Sequence, residues 1–252
     1  MSISFCEEND LNSAASALGY VQRSLYTSRS RFIHVESVLG ARVPILKYLF
    51  DDTLLFDISW RNDLAVRNSA LLCRYFTMYE QGKYLVILVK MWARSFGIIG
   101  SKNGNLSSYA FTNMVIYFLQ GFQEVRLPVL STDTVDADLE PRRITGTVSI
   151  GKLFIEFVHY YSRDFNWGNE VVSIRCGPRT SHESFPMLRN LHYTKAIHIE
   201  DPFELQRNLN SVFRDVELGT QMLRRAFQKC YNDFCDADRF FSILSQYGLQ
   251  HW

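Results

Sequence analysis

A carboxylate in the middle of an apolar strand carries a desolvation cost unless a partner offsets it, and a metal ion is one such partner. Asp57 occupies that position in the run TLLFDIS, residues 53–59. Lys90 and Arg94 lie four residues apart in a helical pattern, so both point from one ridge and can grip a polyphosphate. Ser107, Ser108 and Tyr109 stand where a helix begins; hydroxyls and free N–H groups there bind phosphate, and the ring could stack on a base. Glu200, Asp201 and Glu204 surround Pro202 and Phe203, and two acceptors close together can read the N–H edge of a base, directly or through water. Each group taken singly also fits an ordinary role: an acid on a solvated strand face, a snorkelling lysine with a surface arginine, an N-cap serine before a core tyrosine, and acids complementing a helix dipole.

The elements that must carry these residues follow from periodicity. Residues 1 to about 66 read as β-rich, with strands over Phe32–Glu36, Ala41–Phe50 and Thr53–Ser59, and Pro44 suggests an edge or bulge. In the third strand Phe56 and Ile58 face one way while Leu55, Asp57 and Ser59 face the other. Leu11–Tyr20 supplies one covering helix, so this part reads as a domain whose front lies elsewhere. From Asn68 the period becomes helical, with Asn68 and Ser69 as N-cap types ahead of Leu71, Leu72, Tyr75 and Phe76. Helices are expected over Lys83–Phe96 and Tyr109–Phe122. A third follows from the stripe Ile150, Leu153, Phe154, Phe157, Val158 and Tyr161. A loop spans Glu124 to about Thr147, Glu170–Arg175 is a short strand, and helices end the chain over Ser211–Phe234 and Ala237–Tyr247. The fold class is α+β, with a boundary near residue 66.

Composition narrows the function. Of 252 residues 47% are hydrophobic and 21% charged, so the chain folds and is not a disordered tail. Lys plus Arg number 27 against 26 acids, which excludes a polycation but leaves room for a local basic groove. Cys6, Cys73, Cys176, Cys230 and Cys235 show no metal spacing and read as free thiols of a reducing compartment. The apolar stretch Tyr84–Ala93 is too short for a bilayer and is broken by Lys90, so no membrane role is expected. Asp136-Ala137-Asp138 and Asp236-Ala237-Asp238 read as solvated loops, and no Walker A, GxGxxG or GxSxG pattern occurs.

Taken in series, ARVPILKY with LLFDIS, VRNSALL, LVKMWARSFGI, LSSYAFTNMVIYFLQ, IGKLFIEFVHYYSRDFNWGNEVVSIR and IEDPFELQRNL resemble the terminal RNA nucleotidyltransferases of the DNA polymerase β superfamily. More narrowly they resemble the terminal uridylyltransferases of trypanosomatid protists. The resemblance implies an incomplete polymerase-β-like mixed sheet over residues 1–66, then a mainly helical poly(A)-polymerase-associated domain over 67–252 that recognises nucleotide. It implies transfer of UMP from UTP to the 3′ end of single-stranded RNA by two-metal in-line displacement, with Mg²⁺ or Mn²⁺. Asp57 then matches the third catalytic aspartate and holds metal. Lys90 and Arg94 match the basic pair on the triphosphate, although the family commonly has Lys where Arg94 stands. Ser108 would bond a phosphate oxygen, and Tyr109 would stack on uracil. Asn68 and Ser69 would hold the ribose and its surroundings, and Asp201 and Glu204 would order a water at uracil N3–H.

One departure is plain. The family carries a Gly-Ser motif and a D-x-D strand ahead of the third aspartate, and Ser2-Ile3-Ser4-Phe5 stands about where that strand would end, with serines for both acids. Asp57 alone does not assemble two ions, so this chain by itself is expected to be inactive, as a truncation of a full enzyme. The alternatives are a catalytically dead nucleotide- or RNA-binding scaffold and a poly(A) polymerase. Kinship favours a mitochondrial setting, with the cytoplasm second, and membership of a larger RNA-processing or RNA-editing complex.

Overall fold

The computed structural model describes residues 13–27, 31–41, 43–133, 142–146, 148–185 and 196–235. The Ser2–Phe5 segment, Cys6, Leu11, both DxD triplets and the helix expected over Ala237–Tyr247 lie outside them. The chain divides into two compact units, Met1–Arg67 and Asn68–Trp252.

The first unit is a three-stranded antiparallel sheet under one helix. Helix α1 spans Ala14–Thr27, and strands β1 (Phe32–Val38), β2 (Ile45–Phe50) and β3 (Leu54–Ser59) lie in the order β1-β2-β3. Pro44 precedes β2, which is the central strand, so the expected edge or bulge at Pro44 is not found. The bulge falls in β1 instead, between His34 and Glu36. Asp51 and Asp52 both take positive φ, 50° and 55°, and close the β2–β3 hairpin with the twist that antiparallel strands favour. The strand alternation is as expected. Phe56 and Ile58 pack with Leu18, Leu46 and Tyr48 beneath α1, while Leu55, Asp57 and Ser59 are exposed on the other face.

The second unit is helical. Helix α2 (Asp63–Met78) runs into it, followed by α3 (Glu80–Ser95), α4 (Ser108–Gly121), α5 (Ile150–His159) and α6 (Val216–Cys235). Asn68 and Ser69 sit inside α2 rather than capping it, because Asn62 accepts a bond from the Ala65 amide and starts the helix a turn earlier. The cap at α4 falls on Ser107, whose hydroxyl accepts from the Ala110 amide at 3.1 Å. Every residue from Ala110 to Gln120 is buried, so α4 is the axis of the core. Ring on ring packing absorbs much of the aromatic excess: Tyr161 stacks on Phe227 at 5.1 Å, with Phe157, Phe165 and Trp167 around them.

Three expected elements come out shorter, the first being the strand over Ala41–Phe50, which starts at Ile45. The strand over Glu170–Arg175 reduces to β4, Val171–Val172, because Ser173 accepts the Cys176 amide and turns the chain. β4 pairs in parallel with β5, His198–Ile199. The last described helix begins at Val216 rather than Ser211. Asp215 caps it through the Leu218 amide, and Phe213 folds back over Gly219, where any Cβ would collide with the ring. No described helix is long and apolar enough to cross a membrane.

Candidate nucleotide-binding site

Strand β5 ends at His198–Ile199 and delivers Glu200 and Asp201 beside α4. Their side chains part company there. Glu200 is buried and accepts from Ser173 Oγ at 2.5 Å and Arg175 Nη2 at 2.6 Å, so it fastens β4 and is not a free acceptor. Asp201 is fully buried; its Oδ1 accepts from the Phe203 and Glu204 amides at 3.0 and 3.1 Å. No helix starts here. The carboxylate closes a turn, which corrects the expectation of acids complementing a helix dipole. Arg207 Nη1 reaches Asp201 Oδ2 at 3.5 Å and Glu204 Oε2 at 2.9 Å, holding both acids from one guanidinium.

Tyr109, in the first turn of α4, belongs to the same cluster. Its hydroxyl donates to Asn68 Oδ1 on α2 at 2.6 Å. Burial and then the Asp201 charge push the phenol well above its ordinary range, with Arg207 pulling the other way and Glu204 adding to the rise. The structure therefore brings together Asn68, Tyr109, Asp201 and Glu204, four of the residues singled out from sequence, and adds Arg207. Sequence reading passed over that arginine; its signal was the spacing D-x-x-E-x-x-R from Asp201. Ser69 and Ser108 are exposed at the adjoining turns of α2 and α4.

Lys90 and Arg94 lie one turn apart on α3, as expected from spacing. Lys90 is half-buried, and desolvation lowers its pKa. Arg94 is exposed, and among the described residues no ion pair engages either cation. An unneutralised, partly desolvated lysine is a good receptor for phosphate charge. Among the described residues no hydrogen bond ties this pair to the Tyr109 cluster.

Asp57 stands on the open face of β3, opposite Lys47 in register, while Lys47 Nζ pairs with Glu36 Oε2 at 3.1 Å. Among the described residues no group of three or more His, Cys, Asp or Glu side chains could hold a metal ion. One aspartate is one ligand, and the described residues do not make a two-metal centre. Cys73, Cys176, Cys230 and Cys235 are free.

A second buried polar centre is structural. Glu170 accepts from the Tyr117 and Tyr160 hydroxyls at 2.7 and 2.6 Å, the Asn166 amide at 3.2 Å and Arg179 Nη1 at 3.2 Å. With each lone pair used, this carboxylate pins the π-helical turn Tyr160–Asp164 to α4.

The comparisons with known proteins agree with this architecture. Residues 149–207 match the family described as Cid1 family poly A polymerase. Residues 1–77 match the central palm domain of mitochondrial-like poly(A) RNA polymerase. Poly(A) RNA polymerase GLD2-A of Xenopus laevis is 28% identical over 94% of this chain and 48% of its own length. GLD2 of Mus musculus is 28% identical over 79% and 44%. The chain thus spans about half the length of the curated relatives it matches. Among solved structures, terminal uridylyl transferase 4 from Trypanosoma brucei with bound UPU superposes with a TM-score of 0.71 at 26% identity, covering 87% of this chain and 72% of that one. The Cid1 poly(U) polymerase superposes with a TM-score of 0.71 at 25% identity, covering 92% and 74%. The shared polymerase-β-like α+β fold and the two family matches place the chain in the nucleotidyltransferase superfamily.

Proposed function

We propose that this chain is the nucleotide-binding part of an RNA 3′-terminal nucleotidyltransferase that takes UTP. Residues 1–66 are then the rear of a catalytic domain, and 67–252 select the nucleotide. The observation that carries the reading is the cluster around Tyr109, a ring at a helix start whose hydroxyl is held by Asn68 and which lies in the field of Asp201, Glu204 and Arg207. In this reading Tyr109 stacks on the base. Asn68 and Ser69 hold the ribose, and Lys90, Arg94 and Ser108 receive the triphosphate. Glu204 and Arg207 face the base edge with an acceptor and donors. The solved uridylyl transferase with bound UTP and UMP, 25% identical to this chain, supports the uridylyl choice. Mg²⁺ or Mn²⁺ activates the 3′ hydroxyl in such reactions. Asp57 would be one of its ligands, and no step is assigned to the remainder because the described residues do not supply it.

A second reading, transfer of AMP, is favoured by one feature: Arg207 holds both acids, so neither stands as an unpaired acceptor for a water at uracil N3–H. The curated relatives named as poly(A) polymerases support it too. Calorimetric titration of the chain with UTP, ATP, CTP and GTP tests both. Tighter binding of UTP upholds the first reading and tighter binding of ATP the second; no binding of any triphosphate overturns both. A primer-extension assay on single-stranded RNA with Mg²⁺ is expected to show no tailing by this chain alone. Binding without tailing is also the signature of a nucleotide-binding scaffold.

A further inference from the structure

The outer face of α5 separates two hollows of the second unit. The first, about 430 Å³, is walled by Phe118, Phe122 and Tyr160; the second, about 300 Å³, by Ile155, Tyr231 and Phe234. Glu156 and His159 line both and form the ridge between them. The π-helical turn Tyr160–Asp164 follows at once and brings Asp164 Oδ2 to 3.5 Å from His159 Nδ1, so a second acid borders the ridge. Gly121, which also lines the first hollow, ends α4 about 18 Å along the axis from Tyr109, so this face is separate from the nucleotide cluster.

The acid on the ridge is unanswered. Among the described residues the Glu156 carboxylate makes no hydrogen bond and no ion pair, although the residue is half-buried. The cations nearby have other duties. Lys152, one turn back on α5, bonds Glu124 at 2.6 Å and reaches Glu156 only through its field. Arg179 bonds Glu170 and the Asp164 carbonyl and lies over the Tyr160 ring, while Arg163 lies over Tyr231. A partly desolvated carboxylate between two ring-lined hollows suits an incoming cation with apolar groups on either side. Phosphate has the wrong charge, which argues against an RNA strand, and among the described residues no set of ligands suits a metal ion. Arginine fits best: its fork gives a carboxylate two N–H donors, and its planar head packs on rings, as Arg179 does on Tyr160.

We propose that this face of α5 is a docking groove for a peptide segment of a partner protein, in which an arginine pairs with Glu156 and the apolar side chains before and after it fill the two hollows. The groove stands apart from the nucleotide-binding reading and holds whatever the site at Tyr109 accepts.

The test selects a displayed library of random peptides on the full chain and measures the winning peptide, once synthesised, by fluorescence anisotropy. The consensus is expected to hold an arginine with apolar residues on both sides. Replacing that arginine by citrulline, which keeps its shape and loses its charge, should weaken binding about tenfold, and so should Glu156→Gln, with the two changes together costing no more than either alone. Glu156→Lys should reject the arginine peptide and accept its arginine-to-glutamate counterpart. Glu156→Gln should leave the thermal midpoint where it was, since the carboxylate holds nothing in the free protein. An empty selection overturns the proposal, whether the hollows take nothing, the chain's own end or a second copy. A consensus without a basic residue, or binding indifferent to Glu156→Gln, overturns it as well.

Discussion

Replacing Asp201 tests whether one buried carboxylate organises the acidic turn. Its Oδ1 accepts two backbone amides at 3.0 and 3.1 Å, and the side chain has no exposure. Hydrogen bonds to a charged group contribute about 1.5–3 kcal/mol, and two on a single oxygen share that rather than doubling it. The Arg207 contact at 3.5 Å involves a guanidinium side chain 36% exposed, so screening holds it to roughly 0.5 kcal/mol. Asp201→Ala removes all of it and is expected to cost about 3 kcal/mol. Asp201→Asn keeps an acceptor oxygen but not the charge, for a cost of about 1 kcal/mol. For a domain of this size those figures correspond to unfolding midpoints lower by about 6–12 °C and 2–4 °C. The local readout is hydrogen exchange at the Phe203 and Glu204 amides, which should lose protection in the alanine variant and largely keep it in the asparagine variant. Equal stability of the two variants, or unaltered protection at both amides in Asp201→Ala, would refute the reasoning.

Three further outcomes are expected. Burial lowers the His198 pKa from its usual 6.5 to about 4, so the unfolded chain binds a proton that the folded one refuses. Stability from this residue is then full above about pH 6.5 and declines toward pH 4, by at most about 3 kcal/mol, and denaturant titrations of His198→Gln should show a flatter slope across that window. Lys90→Met should weaken UTP binding about tenfold and lessen its salt dependence while leaving uridine binding as it was, because the loss is of phosphate charge; equal losses for both would place Lys90 at the base or sugar. Gly219→Ala drives a methyl into the Phe213 ring and should cost about 1–3 kcal/mol, read as a lower thermal midpoint; a neutral result would mean that the ring is free to swing away.

What the sequence disclosed is what short-range physics controls. The stripe from Ile150 to Tyr161 is buried at Leu153, Phe154, Phe157, Val158 and Tyr161, and the β3 alternation puts Phe56 and Ile58 under α1. Asn68 and Ser69 were misread as caps because cap-type residues also occur within helices, and Asn62 one turn earlier does the capping. The acidic turn was legible as acids, not as a turn, since its shape depends on the parallel pairing of Val171–Val172 with His198–Ile199, distant in sequence. Arg207 was missed for the same reason. An arginine in a polar segment looks unremarkable until the folded turn shows which acids it holds.

The burial of α4 along nearly its whole length has a thermodynamic corollary. Solvent reaches the rod only at its two ends, so Tyr109 is mounted on an anchorage that does not need to be ordered when a guest arrives. Little motional freedom is left there to surrender. In the proposed reading, discrimination among guests then falls to the half-buried side chains around the ring, Asn68, Glu204 and Arg207, and substitutions at those few positions can retune what is accepted while the rod and its ring stay as they are.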